Sequence, residues 1–130
     1  MKYLSTRGQT DQVALETALR AGLAPDGGLF VPEQLPEFAD DAFKDSSSLP
    51  ATAEEALAPY FSGSVLEDRL GLIAGDALDL PLPIVEFESG KSWILELFHG
   101  PTAAFKDFAA RFLAACLAQL RSDDDPVQTV

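Results

Sequence analysis

Phe98-His99-Gly100-Pro101-Thr102-Ala103-Ala104-Phe105-Lys106-Asp107-Phe108 carries a helix start and a buried-looking cation inside one apolar run. Gly100 and Pro101 break what precedes them, and the Thr102 hydroxyl suits the first free N–H groups, so the stretch predicts a helix over about Thr102–Arg121 with Thr102 as its cap. On that helix positions 106, 109, 110, 113, 117 and 120 share a face, which reads Lys, Ala, Ala, Leu, Leu, Leu. Lys106 is therefore expected to point inward, near the positive end of the helix dipole and beside Phe105 and Phe108. Asp107 and Arg111 fall on the other side, spaced to pair at i,i+4. Desolvation and the dipole both favour a neutral amine, a nucleophile suited to a Schiff base with an aldehyde cofactor. The plainer reading is a lysine that snorkels past small alanines into solvent.

Immediately upstream, Ile84-Val85-Glu86-Phe87-Glu88 and Trp93-Ile94-Leu95-Glu96-Leu97 flank Ser89-Gly90-Lys91-Ser92, which predicts a β-hairpin. Further back, Lys2 to Thr6 reads as a short strand anchored by Tyr3. Thr10 or Asp11 caps a helix to about Ala21, which Gly22 ends. Pro25-Asp26-Gly27-Gly28 is a turn signal ahead of a strand at Leu29-Phe30-Val31. Pro36 to Pro50 is acidic and Ser-rich, a loop with one helical turn around Phe43. Thr52-Ala53-Glu54-Glu55 forms a capping box for a helix to about Phe61, and a second helix spans about Val65–Ala77. The organisation expected is an α+β subdomain over residues 1–80. Residues 81–130 then hold the hairpin and long helix, which make the chain α/β overall, with Ser122 and Asp123-Asp124-Asp125 ending the helix and Val127–Val130 opening another strand.

The chain has 130 residues, 47% hydrophobic and 23% charged, which is a globular composition with room for one modest domain or a piece of a larger one. Nine Lys and Arg against 21 Asp and Glu leave a net charge of −12, so nucleic acid and anionic membrane surfaces are poor partners. One cysteine, Cys116, excludes an internal disulfide, and with the single His99 it cannot build a Cys/His zinc site, so no metal is expected. No signal-like or membrane-spanning run occurs, which points to a cytoplasmic protein.

Leu95 to Thr102, running into Ala104-Phe105-Lys106-Asp107-Phe108, resembles the cofactor-lysine motif of threonine synthases. Tyr3-Leu4-Ser5-Thr6-Arg7-Gly8 is similar to that family's opening, and so is Gly22-Leu23-Ala24-Pro25-Asp26-Gly27-Gly28-Leu29-Phe30-Val31-Pro32. Ala103 stands where the family more often has Leu. The resemblance implies a pyridoxal 5'-phosphate enzyme of the fold shared with the β-subunit of tryptophan synthase, a lyase converting O-phospho-L-homoserine and water to L-threonine and phosphate. Lys106 matches the lysine that holds the cofactor and shuttles protons. Thr102 and Arg7 are candidates for substrate binding, against the plainer roles of helix cap and surface ion pair. His99 reads as a turn-holding residue or a general base. By the same resemblance the chain is a truncated, N-terminal portion of such an enzyme, inactive alone and prone to self-association through the apolar surface of its long helix. Two alternatives stand beside it: a related pyridoxal-phosphate lyase of the same fold, and a stand-alone, non-catalytic interaction domain.

Overall fold

The computed structural model describes residues 1–121, so the expected helix stop at Ser122–Asp125 and the strand at Val127–Val130 lie outside the described residues. The chain opens with strand β1 (Tyr3–Ser5), helix α1 (Leu15–Ala21) and strand β2 (Phe30–Pro32). β1 and β2 pair antiparallel, with Tyr3 opposite Pro32, Leu4 opposite Val31 and Ser5 opposite Phe30. α1 starts later than Thr10 or Asp11 because Tyr3 and Val13 exchange backbone hydrogen bonds, each of 2.9 Å, which hold Val13 in extended backbone. Gly22 ends α1 at φ 68°, the left-handed conformation expected of it, and its N–H reaches Ala18 O.

Helix α2 (Leu49–Phe61) begins three residues ahead of the expected capping box. Ser48 is the cap, accepting from Ala51 N at 3.3 Å, and Pro50 fits the first turn, where its missing N–H costs nothing. Glu55 is drawn away from Thr52 to the preceding loop, accepting from Phe43 N at 3.2 Å and Ser46 Oγ at 2.9 Å. Around Phe43 the chain makes turns instead of the expected helical one, since Phe43 itself sits at φ 70°. A 3-10 turn (Glu67–Arg69) leads into helix α3 (Leu70–Ala77), where a single helix over Val65–Ala77 is expected.

Strands β3 (Ile84–Glu88) and β4 (Ser92–Leu95) form the expected hairpin, with a bulge between Glu86 and Glu88. Every residue of β3 is exposed. Helix α4 (Lys106–Leu120) returns to the first half of the chain. Cys116 and Leu120 lie in one buried cluster with Tyr3, Leu15 and Ile73, and Phe108 and Phe112 pack on Ala74, Ala77 and Leu78. Phe112 also meets Phe61 edge-on, ring centres 6.0 Å apart. Two arginines close helix ends electrostatically: Arg20 donates to Leu120 O at the end of α4, and Arg111 to Asp76 O and Ala77 O at the end of α3. No helix among the described residues is long and apolar enough to cross a membrane.

Candidate active-site segment

Between β4 and α4 the chain is held by its own polar groups. His99 Nε2 lies 2.6 Å from Glu96 Oε2, and its ring stacks on Phe98 with centres 4.7 Å apart. His99 is thus paired with Glu96 and stacked on Phe98 on the approach to the turn. At the turn, Ala103 N donates to Gly100 O at 3.1 Å, and Ala103 adopts φ 55°, a conformation rare for a residue with a Cβ.

Thr102 is not the cap of α4. The cap position is Phe105, which gives no side-chain hydrogen bond, and the hydrogen bonding runs in the opposite sense. Thr102 N donates to Asp107 Oδ2 at 2.9 Å and Thr102 Oγ1 donates to Asp107 Oδ1 at 2.7 Å, so the helix supplies the acceptor and the loop the donors. Asp107 is buried, only 6% exposed, although the sequence pattern puts it on a surface pair with Arg111. The Thr102 hydroxyl, then its amide, then the Ala104 amide and last the nearby Arg111 charge hold the Asp107 carboxyl below its ordinary value against the opposing effect of burial. Gly100 belongs to the same lock, since a Cβ there would stand 2.8 Å from Asp107 Cβ and Cγ.

Lys106 is the first residue of α4 and is exposed, as are Ala109, Ala110 and Leu113 on its face, while Leu117 is half-buried and Leu120 at the far end enters the core. The expectation that it points inward is corrected. The helix is apolar around most of its circumference, and the described core takes the Asp107–Phe108–Phe112–Cys116 side, where Phe112 and Ala115 fit against the small Ala74 and Ala77 of α3. Among the described residues nothing pairs with the Lys106 amine. Phe105 beside it is 72% exposed.

Arg7 lies elsewhere. Its Nη1 donates to Asp26 O at 2.9 Å and its backbone N–H to Ser5 Oγ at 3.2 Å, and among the described residues no hydrogen bond joins it to Thr102 or Lys106. The Pro25–Gly28 turn is organised by Asp26, whose carboxylate accepts from Ser5 Oγ at 2.7 Å, Gly28 N at 2.9 Å and Gln9 N at 3.1 Å. The Ser5 hydroxyl leads the interactions that lower the Asp26 carboxyl from its ordinary value. The sequence placed Asp26 in a turn signal and Asp107 in a surface pair, and gave neither carboxylate its organising role. Asp26 had a signal, an Asp before Gly-Gly that bonds backbone two residues on. Asp107 had none, because its partner precedes it by five residues across a loop. No group of three metal-ligating side chains comes together among the described residues.

Two short antiparallel strand pairs with helices between and after them, and a lysine at the start of the last described helix, define a mixed α/β class. The chain belongs to the threonine synthase N-terminus family, whose pattern matches residues 2–78. It is 42% identical over 127 residues to a threonine synthase of Pseudomonas aeruginosa, covering 90% of this chain and 26% of that protein. The crystal structure of threonine synthase from Escherichia coli superposes with a TM-score of 0.84 at 32% identity, covering 92% of this chain and 28% of the other. A pyridoxal-phosphate-bound threonine synthase from Brucella melitensis gives a TM-score of 0.80 at 34% identity, with the same two coverages. The chain thus spans 26 to 28% of the length of these relatives, and the family resemblance carried by its three motifs is borne out.

Proposed function

We propose that this chain is the N-terminal part of a threonine synthase that converts O-phospho-L-homoserine and water to L-threonine and phosphate, with Lys106 as its cofactor lysine. The observation that carries the reading is the Lys106 segment: an exposed amine at the start of α4 with no partner among the described residues, beside a turn locked by Thr102 and Asp107, in a chain similar to pyridoxal-phosphate-bound threonine synthase. Those features fit an aldehyde cofactor, which needs a reachable amine on a fixed backbone. When bound, pyridoxal phosphate supplies the electron sink that makes carbanions beside the substrate amine accessible. Lys106 holds the cofactor and moves protons at the substrate α and β carbons. The C–O bond at the γ carbon breaks to release phosphate as the β carbon gives up a proton, the γ carbon then takes a proton to become the methyl group, and water adds at the β carbon. Thr102 keeps the turn ahead of Lys106 closed. Arg7, exposed and with N–H groups beyond the one on Asp26 O, is offered as a ligand for the substrate carboxylate or phosphate.

The test begins with pyridoxal phosphate, borohydride reduction and peptide mapping, where label is expected to concentrate on Lys106 over Lys2, Lys44 and Lys91. Joined to the remaining three-quarters of the Pseudomonas aeruginosa relative, the chain is expected to release phosphate from O-phospho-L-homoserine. Lys106→Ala is expected to lower that rate by about three orders of magnitude or more. Full phosphate release by the Lys106→Ala chimaera would sink the assignment.

A further inference from the structure

We propose that Asp107 is the positioning residue of Lys106: its carboxylate ties the Gly100–Thr102 turn to the first turn of α4 and so fixes the direction in which the lysine leaves the helix. The proposal rests on the reading of Lys106 as the cofactor lysine.

Neighbouring helical residues are separated by a fixed rotation about the axis, so clamping one side chain sets the heading of the next. Asp107 is clamped at both oxygens, by the Thr102 amide at 2.9 Å and the Thr102 hydroxyl at 2.7 Å. No side-chain cap secures this helix end. Phe105, in the cap position, provides no side-chain hydrogen bond, and the backbone there makes only short-range bonds, Asp107 N to Ala104 O at 3.1 Å and Phe108 N to Phe105 O at 3.3 Å. An uncapped first turn frays, and Lys106 is its first residue.

Two further features point the same way. Gly100 lies where any Cβ would collide with Asp107, so the turn and the carboxylate are built against each other. Ala103 sits at φ 55° between the two clamped residues, a conformation that the closure on either side holds in place. Because both Asp107 oxygens are bonded to Thr102 and the residue is buried, its action on the chemistry runs through Lys106.

The test compares Asp107→Ala and Asp107→Asn with the unaltered chain. Asn retains the geometry: its oxygen accepts from the Thr102 amide and its amide donates to the Thr102 hydroxyl. The first readout is free of cofactor, namely amide exchange and the HN–Hα couplings of Lys106 and Phe108 by NMR. The second is the ratio of Lys106 to Lys91 labelling by pyridoxal phosphate and borohydride. Asp107→Ala is expected to average the couplings and lower the ratio by about tenfold, while Asp107→Asn stays within about threefold of the unaltered chain. Native burial of Cys116 checks that each variant is folded, and Thr102→Val, which removes only the hydroxyl, gives an intermediate ratio if Asp107→Ala does not fold. Unchanged couplings and an unchanged ratio in folded Asp107→Ala overturn the proposal. An ordered Lys106 that shows no labelling preference in the unaltered chain leaves the positioning role standing and counts against Lys106 as the cofactor lysine.

Discussion

Arg111 donates from Nε to Ala77 O at 2.8 Å and from Nη2 to Asp76 O at 3.0 Å, so one side chain of α4 holds the carbonyl end of α3. A guanidinium suits this position because its two parallel donors meet two successive carbonyls, and its charge opposes the negative end of the helix dipole. Arg111→Ala is expected to cost about 1–2 kcal/mol in urea unfolding, and Arg111→Lys to recover less than half of it. Equal stability of all three chains would show that α4 is held by its apolar contacts alone.

Those apolar contacts can be read out through Cys116, which is 1% exposed and whose thiol is pushed up by burial to about 11. At pH 8 its alkylation is expected to be slow in the native chain and fast in denaturant. The sign of the pH effect follows from the raised value. The neutral thiol's contribution to stability is complete below 9.0 and declines as pH rises from there through about 11, which urea midpoints across that range would show. Ile73→Ala, at 1% exposure in the same cluster, is expected to lose about 2–5 kcal/mol and to unmask Cys116.

Asp26 gives the opposite pH dependence. Its carboxyl is lowered, chiefly by the Ser5 hydroxyl, so its contribution is present above the ordinary aspartate value of 3.8 and is lost as pH falls through the lower native one. Asp26→Ala is expected to loosen the Pro25–Gly28 turn at neutral pH and to flatten the acid side of the stability profile. The amide exchange of Gln9 and Gly28, both donors to Asp26, reports the loss directly.

The strands, the Pro25–Gly28 turn, the Gly22 stop and the hairpin were legible because each is set by local chemistry: a two-residue periodicity, or a glycine where φ is positive. The face of α4 was not legible. A helix with Ala and Leu on nearly every side has no unique apolar stripe, and the choice was made by Ala74 and Ala77 of α3, small residues far from α4 in sequence. The Thr102 cap failed for a related reason. The residue types for a cap were present, but the stronger acceptor was Asp107, inside the helix, and it reversed the bonding. Lys106 was singled out by resemblance to a motif, while its exposure was set by a docking that no local signal encodes.

Ala103 tests the turn from its strained point. At φ 55° an L-residue gives up about 1–2 kcal/mol relative to the ordinary conformations, which glycine does not. Ala103→Gly is expected to gain about 0.5–1 kcal/mol after the added freedom of the unfolded chain is set against it. Ala103→Val, β-branched at the same φ, is expected to lose about 1–2 kcal/mol. Thermal unfolding of the three chains checks the order. A destabilised Ala103→Gly would mean that the turn is held open at some other backbone geometry.

The exposed apolar surface yields the last prediction. Phe87 is 74% exposed, Trp93 58% and Leu113 44%, and they lie on the hairpin and on the α4 face opposite the described core. Large apolar side chains exposed to this extent are removed from water by whatever meets them. In concentrated solution of this chain alone, the available apolar surface is that of other copies. Sedimentation is therefore expected to show concentration-dependent association, with binding of an environment-sensitive dye and a solvent-like Trp93 emission that shifts blue as copies meet. Leu113→Glu and Phe87→Ser are each expected to weaken association by about tenfold without changing the unfolding midpoint, since neither side chain is in the core. A strict monomer that binds no dye would mean that the hairpin folds back over α4 in solution and covers the surface itself.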